Sequence, residues 1–85
     1  MNLNQIIGQN LKYLRYKKGL SQEKFYSKYN LDPKYLASIE RGEINISVNY
    51  LQKLAAILKV NVLELLKYDD SKQIYEKRID SKKKT

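Results

Sequence analysis

Four side chains spaced along Pro33–Arg41 have the chemistry to meet the edges of base pairs. At about 100° per residue, a helix there turns Leu36 and Ile39 inward. Lys34, Ala37, Ser38 and Arg41 then lie on the opposite side, with Tyr35 on the flank. Lys34 can donate to guanine O6 or N7, or to a phosphate. Tyr35 offers its hydroxyl to a base edge and its ring to a thymine methyl. Ser38 can bond almost any base, and Arg41, at the far end, is better placed for a phosphate. Lys and Ser also occupy ordinary solvated helix faces, so the set gains meaning only from the element that presents it.

That element is legible between Leu20 and Gly42, LSQEKFYSKYNLDPKYLASIERG, where two short helical patterns are joined by a tight corner. Ser21 is a natural N-cap, its hydroxyl accepting a backbone N–H that the first turn leaves over. Asn30 stands where one helix must stop, and Asn tolerates the left-handed backbone such a stop needs. Asp32 caps the next helix, and Pro33 sits in its first turn, where a missing N–H costs nothing. Two helices meeting steeply, the second with a cationic and aromatic outer face, describe a helix-turn-helix. That arrangement places its second helix in the DNA major groove.

Further candidates surround it. Gln22 opens the second helix, where free N–H groups and the helix dipole favour an anion, so its amide can lie on a phosphate. Asn45, Ser47 and Asn49 cluster at the start of a fourth helix and can hold another phosphate. Plain capping and loop hydrogen bonds explain Ser47 equally well and Asn49 less well. Glu40 leans back towards the core by spacing, and Arg15 is its natural partner in a structural ion pair.

The elements needed to carry these residues are all helical. The first runs from about Asn4 to Lys18, with Ile7, Leu11 and Leu14 at helical spacing and Gly19 ending it. The second is Gln22–Tyr29 with Phe25 inward, and the third is Pro33–Arg41, stopped by Gly42. The fourth, Val48–Lys59, puts Leu51, Leu54, Ala55 and Leu58 on one stripe behind Ser47 as N-cap. Asn61-Val62-Leu63-Glu64 reads as a capping box opening a short fifth helix that ends near Leu66 or Lys67. The expected fold is all-α, with five helices in a domain over residues 1–67. Residues 68–85 form a charged tail, frayed or partly helical, with only Ile74, Tyr75 and Ile79 as large apolar residues.

Composition narrows the chemistry. The chain has 85 residues, 17 basic against 9 acidic, and a net charge of +8. Ten basic and five acidic residues fall in 1–66, seven and four in 67–85, so the excess is spread along the chain. Such a balance points to a polyanion, nucleic acid before membrane surface, although solubility alone also benefits. There is no cysteine and no histidine. Disulfides, thiolate metal sites and the usual general base are excluded, and neither an enzyme, a metal site nor a cofactor is expected. Apolar runs of about four residues are far too short to span a membrane. A cytoplasmic protein of an AT-rich bacterial or phage genome is expected.

Gly8-Gln9-Asn10-Leu11, Leu14-Arg15, Gly19-Leu20-Ser21-Gln22-Glu23 and Ile39-Glu40-Arg41-Gly42 together resemble the phage repressor and Cro type of helix-turn-helix, often called the Xre type. The likeness covers about Ile6 to Leu66. Within that family, Asn30-Leu31-Asp32, Tyr35, Ile39-Glu40-Arg41 and Asn45-Ile46-Ser47 look most like controller proteins of restriction–modification systems. The resemblance implies a five-helix lambda-repressor-like domain, a homodimer through helices four and five, and binding to inverted-repeat, palindromic operators in double-stranded DNA. It also implies DNA contacts from Gln22, Lys34, Tyr35, Ser38, Arg41 and Ser47. Tyr26 departs from it, standing where the family usually has alanine, and Glu43-Ile44 occupy a loop where relatives often carry basic or polar contacts.

The expectation is therefore a dimeric, sequence-specific transcription regulator, controller of a restriction–modification operon. A phage-type repressor, or an antitoxin whose tail also binds a toxin partner, is the alternative. Val60, Val62, Leu63, Leu65 and Leu66 exceed what a five-helix core needs, so some of them are expected at the interface between copies.

Overall fold

The chain enters its first helix through a reciprocal cap. Asn2 accepts the Gln5 N–H at 2.9 Å, and the Gln5 side chain accepts the Asn2 N–H at 2.9 Å. This computed structural model describes residues 1–69, in which five helices follow one another: α1 (Leu3–Lys17), α2 (Gln22–Tyr29), α3 (Pro33–Glu40), α4 (Val48–Leu58) and α5 (Leu63–Leu66). No strand occurs among the described residues. The expected tail falls almost wholly outside them, and with it the expected protein partner of that segment.

The punctuation residues act as their chemistry requires. Ser21 Oγ accepts the Lys24 N–H at 3.2 Å, Asp32 Oδ1 that of Lys34 at 3.1 Å, and Ser47 Oγ that of Tyr50 at 3.1 Å. Asn30 closes α2 in the left-handed region, with φ 53° and ψ 54°. Gly42 has φ +72°, and a Cβ there would lie 2.9 Å from the Cα of Gln5, so glycine is needed twice over.

α1 is the spine, packing against both α3 and α5, while α2 packs on α3 and α4 on α5. Leu11, Phe25, Leu36, Leu54 and Leu65 are completely buried where these elements meet. Gly8 is the closest approach. A Cβ there would collide with the Ile39 carbonyl and come within 2.8 Å of that of Glu40. The absent side chain lets α1 lie directly against the C-terminal end of α3, which fixes where α3 points.

Two expectations need correction. Leu65 is 0% exposed and belongs to the core, so it is not available to an interface between copies. The box proposed at Asn61 does not open α5 as drawn: Asn61 Oδ1 accepts the Leu63 N–H at 2.9 Å, and α5 starts after Val62 with no side-chain cap. A helix of four residues has too little length for periodicity to place it, and it is tertiary contact that does so. Asn10, buried on α1, donates through Nδ2 to the carbonyls of Leu65 and Lys67, both at 2.8 Å.

Candidate nucleic-acid interface

Leu36 and Ile39 are buried, 0% and 2% exposed, so the opposite side of α3 faces out as its spacing demands. Lys34 and Arg41 are exposed at the two ends of that face, and Ser38 is half-buried between them. Arg41 Nη2 donates to Ser38 Oγ at 3.3 Å, and its Nε pairs with Glu43 Oε1 at 2.9 Å. Both side chains of that pair are more than half exposed, so it orients the guanidinium and adds little stability. Glu43 thus uses the loop after α3 to hold Arg41.

Tyr35 is not a free side chain. It is half-buried, and its ring meets that of Tyr50 on α4 edge to face, centroids 4.7 Å apart and planes at 79°. Burial first, then the neighbouring Tyr35 and Asp32, push the Tyr50 hydroxyl pKa above its ordinary value. Tyr50 is absent from the residues singled out by spacing, because a contact between residues fifteen apart on different helices follows no local period.

Behind α3 lies a buried polar cluster. Arg15 Nε donates to Glu40 Oε2 at 2.7 Å and Nη2 to Oε1 at 2.9 Å, with both side chains 1% exposed. Nη1 donates to the Leu20 carbonyl at 2.8 Å, tying the α1–α2 turn to the same guanidinium. Burial alone would lower the Arg15 pKa. The hydrogen bond and charge of Glu40 overcome it, and the net direction is upward, so Arg15 stays charged. The pairing expected from spacing is therefore present, and it is bidentate. Half-buried Tyr26 fills the α2–α3 contact beside this pair; burial first, then the Glu40 charge, raise its pKa.

Gln22 joins the cluster, its Nε2 donating to Glu40 Oε1 at 2.9 Å. One amide hydrogen is thus occupied inward, and the other is what the side chain has left to donate to an anion. Asn45 is exposed and accepts from Asn4 Nδ2 at 2.7 Å, fastening the loop to the start of α1. Ser47 uses its oxygen as the α4 cap and keeps its O–H proton to donate. Asn49 is exposed in the first turn of α4. The structure thus gathers Lys34, Tyr35, Ser38 and Arg41 along one helix, with Ser47 beside Tyr35 through Tyr50. Gln22 stands at the α2 start.

The described residues hold no cluster of His, Cys, Asp and Glu arranged for a metal, and no helix long and apolar enough to cross a membrane. A helix-turn-helix family profile matches residues 11–65, which contain every part of this site from Arg15 to Tyr50. The chain belongs to the helix-turn-helix family. It is 38% identical to the HTH-type transcriptional regulator y4dJ of Sinorhizobium fredii over 66 residues, 78% of this chain and 86% of that protein. It is 44% identical to the control protein C.MunI of a Mycoplasma species over 59 residues, 68% of this chain and 80% of the relative. The crystal structure of the restriction–modification controller protein C.AhdI from Aeromonas hydrophila superposes with a TM-score of 0.65 at 40% identity, covering 73% of this chain and 94% of that one.

Proposed function

We propose that this protein is a sequence-specific DNA-binding transcription regulator that works as a homodimer on an inverted-repeat operator and controls a restriction–modification operon. One observation carries the DNA reading: α3 is pinned from behind by Gly8, Leu36, Ile39 and the Arg15–Glu40 pair, and presents Lys34, Tyr35, Ser38 and Arg41 outward. A rigid rod with donors along its outer face fits a major groove. Gln22, Ser47, Asn45 and Asn49 flank it as phosphate contacts that set its register. The net charge of +8 supplies the long-range attraction.

The dimer reading is supported at the other end. Leu63 is 62% exposed and Tyr68 50%, with Val62 and Leu66 half-buried beside them. This is apolar surface on and around α5 that a second copy would cover. Two-fold pairing there sets two α3 rods on one side of a duplex, one helical turn or about 34 Å apart. The operon assignment draws on the control proteins among the relatives.

Selection of bound duplexes from a random pool, followed by mobility shift at several salt concentrations, tests the proposal. The expected outcome is an enriched palindrome whose affinity falls steeply with salt. Binding with no preferred sequence at any ionic strength would overturn it. Genes for an endonuclease and a methyltransferase beside this one would support the operon assignment, and their absence would favour a phage-type repressor.

A further inference from the structure

Base recognition through a tyrosine depends on where its ring is held before DNA arrives. A tyrosine on an exposed helix flank samples several rotamers, and fixing one of them on binding reduces affinity for every sequence and sharpness for the right one. Tyr35 escapes that cost, because its ring is already set at 79° against the Tyr50 ring at a centroid distance of 4.7 Å. Edge-to-face aromatic contacts are directional, since the positive ring edge seeks the negative face. Tyr50 is itself held: its ring is partly buried against the core, with Lys53 Nζ 5.5 Å from its centroid, and its backbone N–H is donated to Ser47 Oγ at 3.1 Å in the first turn of α4.

We infer that Tyr50 is a positioning residue for base recognition, holding the Tyr35 ring in the orientation from which it meets a base edge, so that part of the sequence preference is set from α4. The inference rests on the reading of Tyr35 as a base contact. Its physical content is a coupling: the α4 start, where Ser47 and Asn49 face the backbone, and the base-reading ring of α3 are one rigid piece. A phosphate contact at one fixes the height of the other in the groove.

The test compares the full-length wild type with Tyr35→Ala, Tyr50→Leu, Tyr50→Phe and the double variant Tyr35→Ala/Tyr50→Leu. For each, preference is read by competitive mobility shift against single-base variants of the selected site, and Tm is read by circular dichroism. Tyr50→Leu is expected to lose about tenfold in discrimination, the scale of one aromatic edge contact, at the same base positions that Tyr35→Ala relaxes. Tyr50→Phe keeps the ring and is expected to keep the preference. The double variant is expected to discriminate no worse than Tyr35→Ala alone, because both changes remove the same thing. A merely structural role would lower Tm and weaken all duplexes equally, leaving the preference profile as it was, and that result overturns the inference. If Tyr50→Leu does not fold, Tyr50→Met fills the space without a directional ring and carries the same expectation. An unchanged profile in Tyr35→Ala would overturn the base-contact reading and this inference together. A relaxed profile in Tyr35→Ala beside an unchanged one in Tyr50→Leu and Tyr50→Met would overturn this inference alone.

Discussion

The α1–α3 end of the molecule and the α4–α5 end are held together in different ways. Around α3, an ion pair is taken out of water and its polar atoms are matched: Arg15 donates twice to Glu40 and once to Leu20, and Gln22 donates a further bond to Glu40. Around α5 the helix is a single turn with no side-chain cap, pinned by Asn10 from one side and by the burial of Leu65. Its other side leaves Leu63 62% exposed. The first end is complete in itself, which suits an element that must keep its shape while docking. The second has surface left to bury, which suits an element completed by another copy.

The sharpest way to break this contrast is to remove Glu40. Glu40→Ala leaves the Arg15 guanidinium buried without its carboxylate, and a loss of about 3–5 kcal/mol in urea unfolding is expected. A loss below about 1 kcal/mol would class the pair with surface bridges and erase the difference between the two ends.

A smaller effect probes the other end. Leu63→Lys should lower dimerisation by about 1.5–3 kcal/mol per copy, the value of one buried leucine, as read by sedimentation equilibrium. Far-UV circular dichroism should stay unchanged, because Leu63 contributes little to the monomer core. Unaltered association would move the interface away from α5.

The smallest effects separate the outward residues from one another. Lys34→Ala should cost about 1–3 kcal/mol at the preferred site and relax one base position, whereas Gln22→Ala should weaken all duplexes alike. Competitive mobility shift reads both. Equal weakening of every sequence by Lys34→Ala would make that lysine a phosphate contact.

What could be read from the sequence was what is decided locally or by helical period. Ser21, Asn30, Asp32 and Ser47 each do at their own position what their side chains favour, so α2 and the starts of α3 and α4 fall where residue types place them, while α3 ends at Glu40 with Arg41 as its C-cap, one residue short of the expected end. Arg15 and Glu40 were matched because each had to face inward on its helix and each needed the opposite charge there. The cap of Asn2 on Gln5 was equally local, yet the periodic apolar pattern begins only later and drew the first helix start to Asn4 in place of Leu3. The end of α4 also differs, at Leu58, because Lys59 takes a left-handed conformation with φ 57° that its residue type does not advertise. Contacts without such a charge match to reveal them were out of reach: Tyr35 on Tyr50, Asn4 on Asn45, Gln22 on Glu40, and Leu65 swallowed by the core. Each depends on how two elements are finally oriented, which neither helical period nor charge pairing prescribes.

The bare backbone of Gly8 against the last carbonyls of α3 has a consequence for how such a protein can change its target. Because α3 is anchored through its rear and its C-terminal end, the outward positions 34 and 38, proposed as base contacts, stand on a surface that carries almost none of the fold. They can be exchanged, by selection in nature or by a randomised library, while the frame that presents them stays the same.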